Sequence, residues 1–230
     1  MRAPTLRGVI DFHAHLLPWM DHGSRDLAEA VCQYRMLNAH GVSAVVATPH
    51  FYAQTEPSVD DFIARRDAAA EALLGAVTVG PELYLGAEVL LVRGLEHMEG
   101  LDRLCIKGTN TILLEMPLGG FGRAEVETAE KIAALGLDPV IAHIDRYPPD
   151  SLSLLIESGA ARYQVNAAAF LGLSRRAAAL RKMAEEGRIA AIGSDLHGTD
   201  RRAIRSFDRA LARLGDSAER ILDISRALLS

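Results

Sequence analysis

The stretch Gly8-Val9-Ile10-Asp11-Phe12-His13-Ala14-His15 begins with an apolar run and ends in a row of potential metal ligands. The apolar run favours a buried β-strand, and Asp11, His13 and His15 follow where that strand should end. Imidazole and carboxylate groups are the ligands that Zn, Mn and Fe ions take in proteins. This stretch therefore predicts a strand that carries metal ligands at its carboxyl end.

The same placement recurs along the chain. Further His, Asp and Glu residues follow later apolar runs, namely His50, Glu88, Glu115, His143, Asp195 and His197, and His22 lies in the loop after the first run. Because the carboxyl ends of parallel barrel strands face one way, we expect these side chains to meet at one face. Glu88 is the expected bridging carboxylate, and Asp11 is expected to orient the His13 imidazole. His40 and His97 fall outside this pattern and are expected to be structural or surface residues.

Short β-branched runs alternate with longer segments of helical period, which indicates repeated βα units around a parallel sheet. We expect about seven such units. The strands are predicted near residues 8–12, 43–47, 82–87, 111–115, 139–142, 162–166 and 189–193. The helices are predicted near residues 25–39, 59–74, 124–135, 149–158, 174–186, 201–214 and 217–228. The fold class is therefore α/β, with one domain over residues 1–230.

Composition limits the classes of function. The 230-residue chain is 49% hydrophobic, which is enough for a large core. A net charge of −5 argues against a protein that binds nucleic acid through a basic face. Residues 1–7 lack the apolar core of a signal peptide, and no run reaches the roughly 18 apolar residues that would span a bilayer. A soluble cytoplasmic protein without a membrane segment is expected.

The motifs resemble those of the polymerase-and-histidinol-phosphatase (PHP) superfamily, and within it the bacterial manganese-dependent protein-tyrosine phosphatases of capsule and exopolysaccharide operons. The motifs that carry the resemblance occur in that family's order: Asp11-Phe12-His13-Ala14-His15, Thr48-Pro49-His50, Gly86-Ala87-Glu88, Leu114-Glu115, Ala142-His143-Ile144-Asp145-Arg146-Tyr147, Gln164-Val165-Asn166 and Ser194-Asp195-Leu196-His197. The resemblance implies a distorted TIM-like (β/α)7 barrel, in agreement with the seven units expected above.

The resemblance also implies three divalent metal ions, with Mn expected and Zn, Fe or Co possible. The first ion would be held by His13, His15, Glu88 and Asp195, the second by Glu88, Glu115 and His143, and the third by His22, His50 and His197. One position departs from the pattern, because these tyrosine phosphatases usually carry Asp-Asp-Gly where this chain has Asp21-His22-Gly23. An imidazole would thus replace a carboxylate at the third metal, as in many PHP phosphatases of other specificity.

The expected activity is hydrolysis of a phosphomonoester by a metal-bridging hydroxide, with no covalent phosphoenzyme. Arg146, three residues after His143, is expected to clamp the phosphate, and the resemblance implies a second arginine. Arg201 is preferred marginally over Arg202 for that role. The cysteine-dependent route is excluded, because neither Cys32 nor Cys105 is followed by arginine six residues later. The general acid stays open between Asp21, Asp145 and Tyr147.

The expected substrate is a phosphotyrosine protein, and the resemblance implies a tyrosine-phosphorylated bacterial kinase that governs polysaccharide export. A small-molecule phosphatase of the histidinol-phosphate kind is the nearest alternative. A catalytically silent metal-binding regulatory module is a second alternative, although it predicts missing ligands and none of the nine positions is lost. Nuclease activity on single strands is disfavoured by the negative charge and by the lack of a basic or aromatic stripe.

Overall fold

Strands and helices alternate along the chain in the computed structural model, which describes residues 8–230. The strands are β1 (Val9–His15), β2 (Val42–Ala47), β3 (His50–Phe51), β4 (Glu82–Leu85), β5 (Glu88–Leu90), β6 (Thr111–Glu115), β7 (Asp138–Ile141), β8 (Arg162–Asn166), β9 (Ala191–Gly193) and β10 (Leu196–His197). The helices are α1 (Leu27–Ala39), α2 (Val59–Gly75), α3 (Arg123–Ala134), α4 (Pro149–Ser158), α5 (Arg175–Glu185), α6 (Arg201–Leu214) and α7 (Asp216–Ala227). The prediction made for residues 1–7 lies outside the described residues.

The strands pair in parallel throughout and form a closed ring. One sheet has the order β10-β1-β2-β4 and the other has the order β3-β5-β6-β7-β8-β9. The two sheets join because only two residues separate β2 from β3, β4 from β5 and β9 from β10. The ring therefore contains seven strand positions, which we call staves. Three of them are bent and consist of two consecutive strands each, namely β2 with β3, β4 with β5 and β9 with β10. The predicted distorted (β/α)7 barrel is confirmed.

The breaks in the staves have local causes. Thr48-Pro49 separates β2 from β3, and proline cannot donate a backbone hydrogen bond to a sheet. Gly86-Ala87 separates β4 from β5, where the Gly86 amide donates to the Ala47 carbonyl. Asp195, between β9 and β10, has a φ of 52°, which turns the strand sharply. The sequence predicted seven continuous strands and missed these bends, because a two-residue break leaves the apolar pattern almost unchanged.

The two ends of the barrel differ in chemistry. Apolar residues fill the lower interior, including Ile10, Phe12 and Leu113, and Leu222 of α7 packs with them. The Thr111 hydroxyl donates to the Leu228 carbonyl at 2.9 Å, so the segment after α7 is fixed to the amino end of β6. The carboxyl ends of the strands carry polar side chains. Among the described residues, no helix has the length and apolar character needed to cross a membrane.

Candidate metal centre

Eight of the nine predicted ligands come together at the carboxyl end of the barrel. His13, His15, Glu88, Glu115 and His143 are buried, His50, Asp195 and His197 are partly buried, and His22 is exposed. Several of them lie on the short strands that follow the bends: His50 opens β3, Glu88 opens β5 and His197 ends β10. The bends therefore carry the ligands past the apolar interior to the mouth of the barrel.

Four side chains converge on one point. The Nε2 atoms of His13 and His15 lie 3.0 Å apart, and each lies 3.2 Å from Glu88 Oε2. Asp195 Oδ1 lies 3.8 Å from His13 Nε2 and 3.6 Å from His15 Nε2. Ligands about 2.1 Å from a shared ion lie roughly 3.0–3.4 Å apart in octahedral or tetrahedral geometry. The donor set therefore fits a divalent cation after small adjustments.

The Glu88 carboxylate divides between two ligand sets. Its Oε2 faces His13 and His15, whereas its Oε1 lies 2.7 Å from His143 Nε2. Glu115 Oε1 lies 3.5 Å from the same His143 nitrogen. A carboxylate in this position can contribute one oxygen to each of two neighbouring cations. The geometry is compatible with the bridging role of Glu88, which stays a prediction.

A third cluster involves His50 and His197. Ligand atoms of His15, His50 and His197 all lie within 4.8 Å of one another, and His50 Nδ1 lies 3.0 Å from Glu88 Oε2. The exposed His22 ring stacks on His197, with centroids 4.5 Å apart, and belongs to none of the converging groups within residues 8–230. A role for His22 at a third metal therefore stays a prediction.

The first strand departs from regular pairing beside the cluster. Asp11 pairs with Val45 and Ala14 pairs with Ala47. Between these two pairs the chain advances three residues along β1 but only two along β2, so β1 contains a β-bulge. Asp11 Oδ1 accepts hydrogen bonds from the Ser194 amide at 2.8 Å and the His13 amide at 3.4 Å. The prediction that Asp11 orients the His13 ring is wrong in this structure, because the bulge changes the alternation on which it relied.

Two other side chains hold the imidazoles. Gln164 Oε1 lies 3.3 Å from His13 Nδ1, and Asp21 Oδ2 lies 2.7 Å from His15 Nδ1. An acceptor on Nδ1 places the proton there and leaves Nε2 free for a metal. The sequence indicates Asp21 only as a candidate acid and Gln164 only as part of a motif. Two features of the sequence could have indicated these roles: Asp21 is a carboxylate close after the His pair, and Gln164 is a polar residue inside a buried strand.

The charges of the cluster alter its proton affinities. Burial lowers the pKa of His15, but hydrogen bonds to Asp21 and Glu88 outweigh it and raise that pKa to about 10. Burial also lowers the pKa of His143, but hydrogen bonds to Glu115 and Glu88 outweigh it and raise that pKa to about 9. Burial and the neighbouring His15 charge lower the pKa of His197 to about 4. The carboxylates thus favour the protonated forms of His15 and His143.

The predicted phosphate-binding arginines occupy different environments. The Arg146 guanidinium donates to Asp195 Oδ2, at the edge of the first ligand set. Arg201 and Arg202 are exposed at the start of α6, and neither side chain hydrogen bonds or ion pairs with a candidate ligand within residues 8–230. The geometry therefore places one predicted arginine beside the centre and leaves the choice between the other two open.

The three candidate general acids also differ. Hydrogen bonding to His15 holds the pKa of Asp21 below its ordinary value despite burial, so Asp21 is ionised. Tyr147 is fully buried, and its hydroxyl accepts a hydrogen bond from the Met116 amide at 3.0 Å. Burial raises the pKa of Asp145, whose Oδ1 accepts from the Asn166 amide at 2.9 Å. Asp21 and Tyr147 are poorly suited to donate a proton to a leaving group.

A closed parallel α/β barrel with His and carboxylate side chains converging at its carboxyl end defines the class of metal-dependent barrel enzymes. Within that class, the chain belongs to the family described as capsular polysaccharide synthesis, CpsB/CapC, whose model matches residues 9–216. The family predicted from the motifs is thereby confirmed.

Two relatives agree with this assignment. The chain is 28% identical over 207 residues to the tyrosine-protein phosphatase YwqE of Bacillus subtilis (strain 168), a match that covers 84% of this chain and 79% of YwqE. It is 26% identical over 216 residues to the tyrosine-protein phosphatase CpsB of Streptococcus pneumoniae, covering 84% and 85% of the two chains.

The fold also matches a crystal structure described as YwqE from Bacillus subtilis and CpsB from Streptococcus pneumoniae, "unique metal-dependent tyrosine phosphatases". The TM-score is 0.80 at 23% sequence identity, and the match covers 96% of this chain and 94% of the other. This likeness establishes the arrangement of the barrel.

Proposed function

We propose that this protein is a metal-dependent phosphomonoesterase that removes phosphate from phosphotyrosine in a protein. The observation that carries the proposal is the Glu88 carboxylate, with Oε2 3.2 Å from His13 and His15 and Oε1 2.7 Å from His143. This arrangement supports two adjacent cations, which suit phosphate ester hydrolysis. The tyrosine phosphatases among the relatives support phosphotyrosine as the substrate.

The chain's own residues would prepare the site for this reaction. Bound divalent ions would supply an activated water and neutralise the phosphate oxygens. Gln164 and Asp21 fix the His13 and His15 rings, so that both Nε2 atoms face the same point. Burial of Glu88 and its neighbours keeps bulk water from competing for these positions. Rigid placement of the ligands reduces the reorganisation needed during the reaction.

Arg146 would act on the substrate. Its guanidinium pairs with Asp195, a proposed ligand. Coordination of Asp195 would weaken that pair, and the half-exposed Arg146 side chain could then donate two hydrogen bonds to phosphate oxygens. Arg201 or Arg202 would supply a second guanidinium after movement of the start of α6. We expect Arg146→Ala to raise the KM for phosphotyrosine while the metal content of the protein stays close to that of wild type.

Further features that we propose concern the metal ions, the substrate, and the location and extent of the domain. We propose three ions with manganese preferred, a tyrosine-phosphorylated bacterial kinase of polysaccharide export as the substrate, and a cytoplasmic single domain over residues 1–230. The third ion would use His50 and His197, with His22 turning inward to complete it. The family's link to capsular polysaccharide synthesis supports the choice of substrate.

A substrate panel tests the proposal directly. A phosphotyrosine peptide, histidinol phosphate and a short single-stranded oligonucleotide would be assayed with Mn²⁺ for wild type, His13→Ala, Arg146→Ala and His97→Ala. His97 is exposed and lies outside the centre, so His97→Ala controls for loss of an imidazole. Metal content would be measured for each purified variant.

We expect wild type and His97→Ala to hydrolyse the peptide, His13→Ala to lose both metal and activity, and Arg146→Ala to retain metal. Preferred hydrolysis of histidinol phosphate would assign the same centre to a small-molecule substrate. Full metal binding without turnover of any phosphomonoester would support a silent regulatory module and overturn the proposal.

A further inference from the structure

Tyr52 is an aromatic residue at the metal centre to which the preceding mechanism gives no role. It follows β3 directly and is partly buried. Its ring lies nearly parallel to the His50 imidazole, with centroids 5.3 Å apart and an interplanar angle of 16°. Within residues 8–230, His50 is the only aromatic ring that contacts it. Part of the Tyr52 ring therefore remains accessible beside the ligand cluster.

The backbone holds Tyr52 in a defined position. Its carbonyl oxygen accepts hydrogen bonds from the amides of Thr55 and Glu56, both at 3.0 Å. The Glu56 carboxylate in turn pairs with Arg65 of α2, which anchors the turn to the helix. An aromatic wall that is fixed before binding loses little conformational entropy when a ligand packs against it. Tyr52 is thus better suited to recognition than a side chain on a free loop.

The Tyr52 side chain also lies close to the reacting region. Burial raises the pKa of the Tyr52 hydroxyl to about 12, and the negative charges of Glu115, Glu88 and Asp21 add to that effect. That hydroxyl has no hydrogen-bond partner within the described residues 8–230. His50, on which Tyr52 stacks, has its Nδ1 atom 3.0 Å from Glu88 Oε2, so one imidazole ring separates Tyr52 from the proposed bridging carboxylate.

We propose that Tyr52 is a specificity-determining residue that stacks on the aromatic ring of aryl phosphates, and so favours phosphotyrosine over alkyl phosphates. The inference rests on the proposed phosphatase function and deepens it. Aromatic rings pack favourably in offset or edge-to-face arrangements with centroids about 4.5–7 Å apart. An alkyl phosphate has no ring to offer, so the contact discriminates between two substrates of equal charge.

Two inert ligands isolate this contact from catalysis. Phenylphosphonate and methylphosphonate both carry the phosphonate group but differ in the aromatic ring. Their dissociation constants would be measured by calorimetry on the manganese-loaded wild type, Tyr52→Leu and Tyr52→Phe. Both variants lack the hydroxyl, and only Tyr52→Phe keeps the ring, so the pair separates the two contributions. Metal content would be measured on the same samples to detect any disturbance of His50.

We expect wild type and Tyr52→Phe to prefer phenylphosphonate over methylphosphonate, and Tyr52→Leu to lose about threefold to tenfold of that preference. Affinity for methylphosphonate should stay unchanged in all three proteins. An unchanged preference in Tyr52→Leu, or no preference in wild type, would overturn the inference. Turnover of the phosphotyrosine peptide by wild type is measured separately, and its absence would instead refute the proposed function.

Discussion

Replacement of Asp21 by asparagine tests whether the carboxylate that contacts His15 controls metal affinity. Asp21 Oδ2 lies 2.7 Å from His15 Nδ1 and accepts the His50 amide at 3.0 Å, while Oδ1 accepts the Gly23 amide at 2.8 Å. All three neighbours are donors when His15 carries its proton on Nδ1. An asparagine side chain has only one acceptor oxygen, so its NH2 group must face at least one of these donors.

The size of the effect follows from these contacts. A hydrogen bond to a charged group contributes about 1.5–3 kcal/mol, and the amide replaces a charged acceptor by a neutral one. Substitution of a group that orients a metal-bound imidazole typically weakens metal binding by about 10–100-fold. We therefore expect Asp21→Asn to raise the dissociation constant for Mn²⁺ by about 10–100-fold, with the larger loss if the oxygen turns toward Gly23.

The assay is a calorimetric titration of metal-free protein with Mn²⁺ at constant pH, with activity followed at saturating metal. Glu157→Gln is the matched control, because Glu157 is an exposed carboxylate on α4 away from the centre. Activity of Asp21→Asn should recover substantially at high metal concentration, since none of the proposed ligands is removed. Wild-type Mn²⁺ affinity in Asp21→Asn would refute the reasoning that Asp21 orients His15.

Two further predictions concern the same centre. Because the pKa values of His15 and His143 are raised to about 10 and about 9, metal binding at pH 7 should release protons, and affinity should rise with pH until those values are passed. Calorimetry in two buffers of different ionisation enthalpy measures this release, and equal heats in both would contradict it. Gly193→Ala should lower metal content, because a Cβ there would lie 2.5 Å from His13 Cβ and 2.8 Å from Gln164 Nε2. Gly75→Ala, where a Cβ meets nothing within 4 Å, is the control, and equal metal content in the two variants would argue against displacement of His13.

Much of the fold could be predicted because most of its strands are largely buried. The ranges 111–115 and 162–166 were predicted as strands and form β6 and β8 with those same bounds. Helix α6 begins at Arg201 and ends at Leu214, as the periodicity indicated. In each case a continuous apolar or periodic segment is bounded by turn residues, so local sequence and tertiary burial favour the same structure.

The side chains that orient the ligands were harder to predict, because their contacts depend on backbone irregularities. A regular strand would place Asp11 and His13 on one face, and that assumption assigned Asp11 to the His13 ring. The bulge in β1 disrupts the alternation, and Gln164 of β8, which is separated from β1 in the ring only by β9 and β10, contacts His13 instead. The Gln164 contact spans 151 positions in sequence, so no local pattern indicates it.

The bends in the staves explain why this barrel can hold a polar centre above an apolar interior. A continuous strand would carry its alternating pattern unchanged to the mouth, where apolar side chains would compete with ligands for the inward positions. Breaks before His50 and Glu88, and the left-handed Asp195 between β9 and β10, reset the backbone just below the mouth. The left-handed conformation is uncommon for a residue other than glycine, and such strain persists where the surrounding contacts maintain it. At Asp195 those contacts are the His13 carbonyl, which accepts the Asp195 amide, and the Asn166 side chain, which donates to Oδ2 at 2.9 Å.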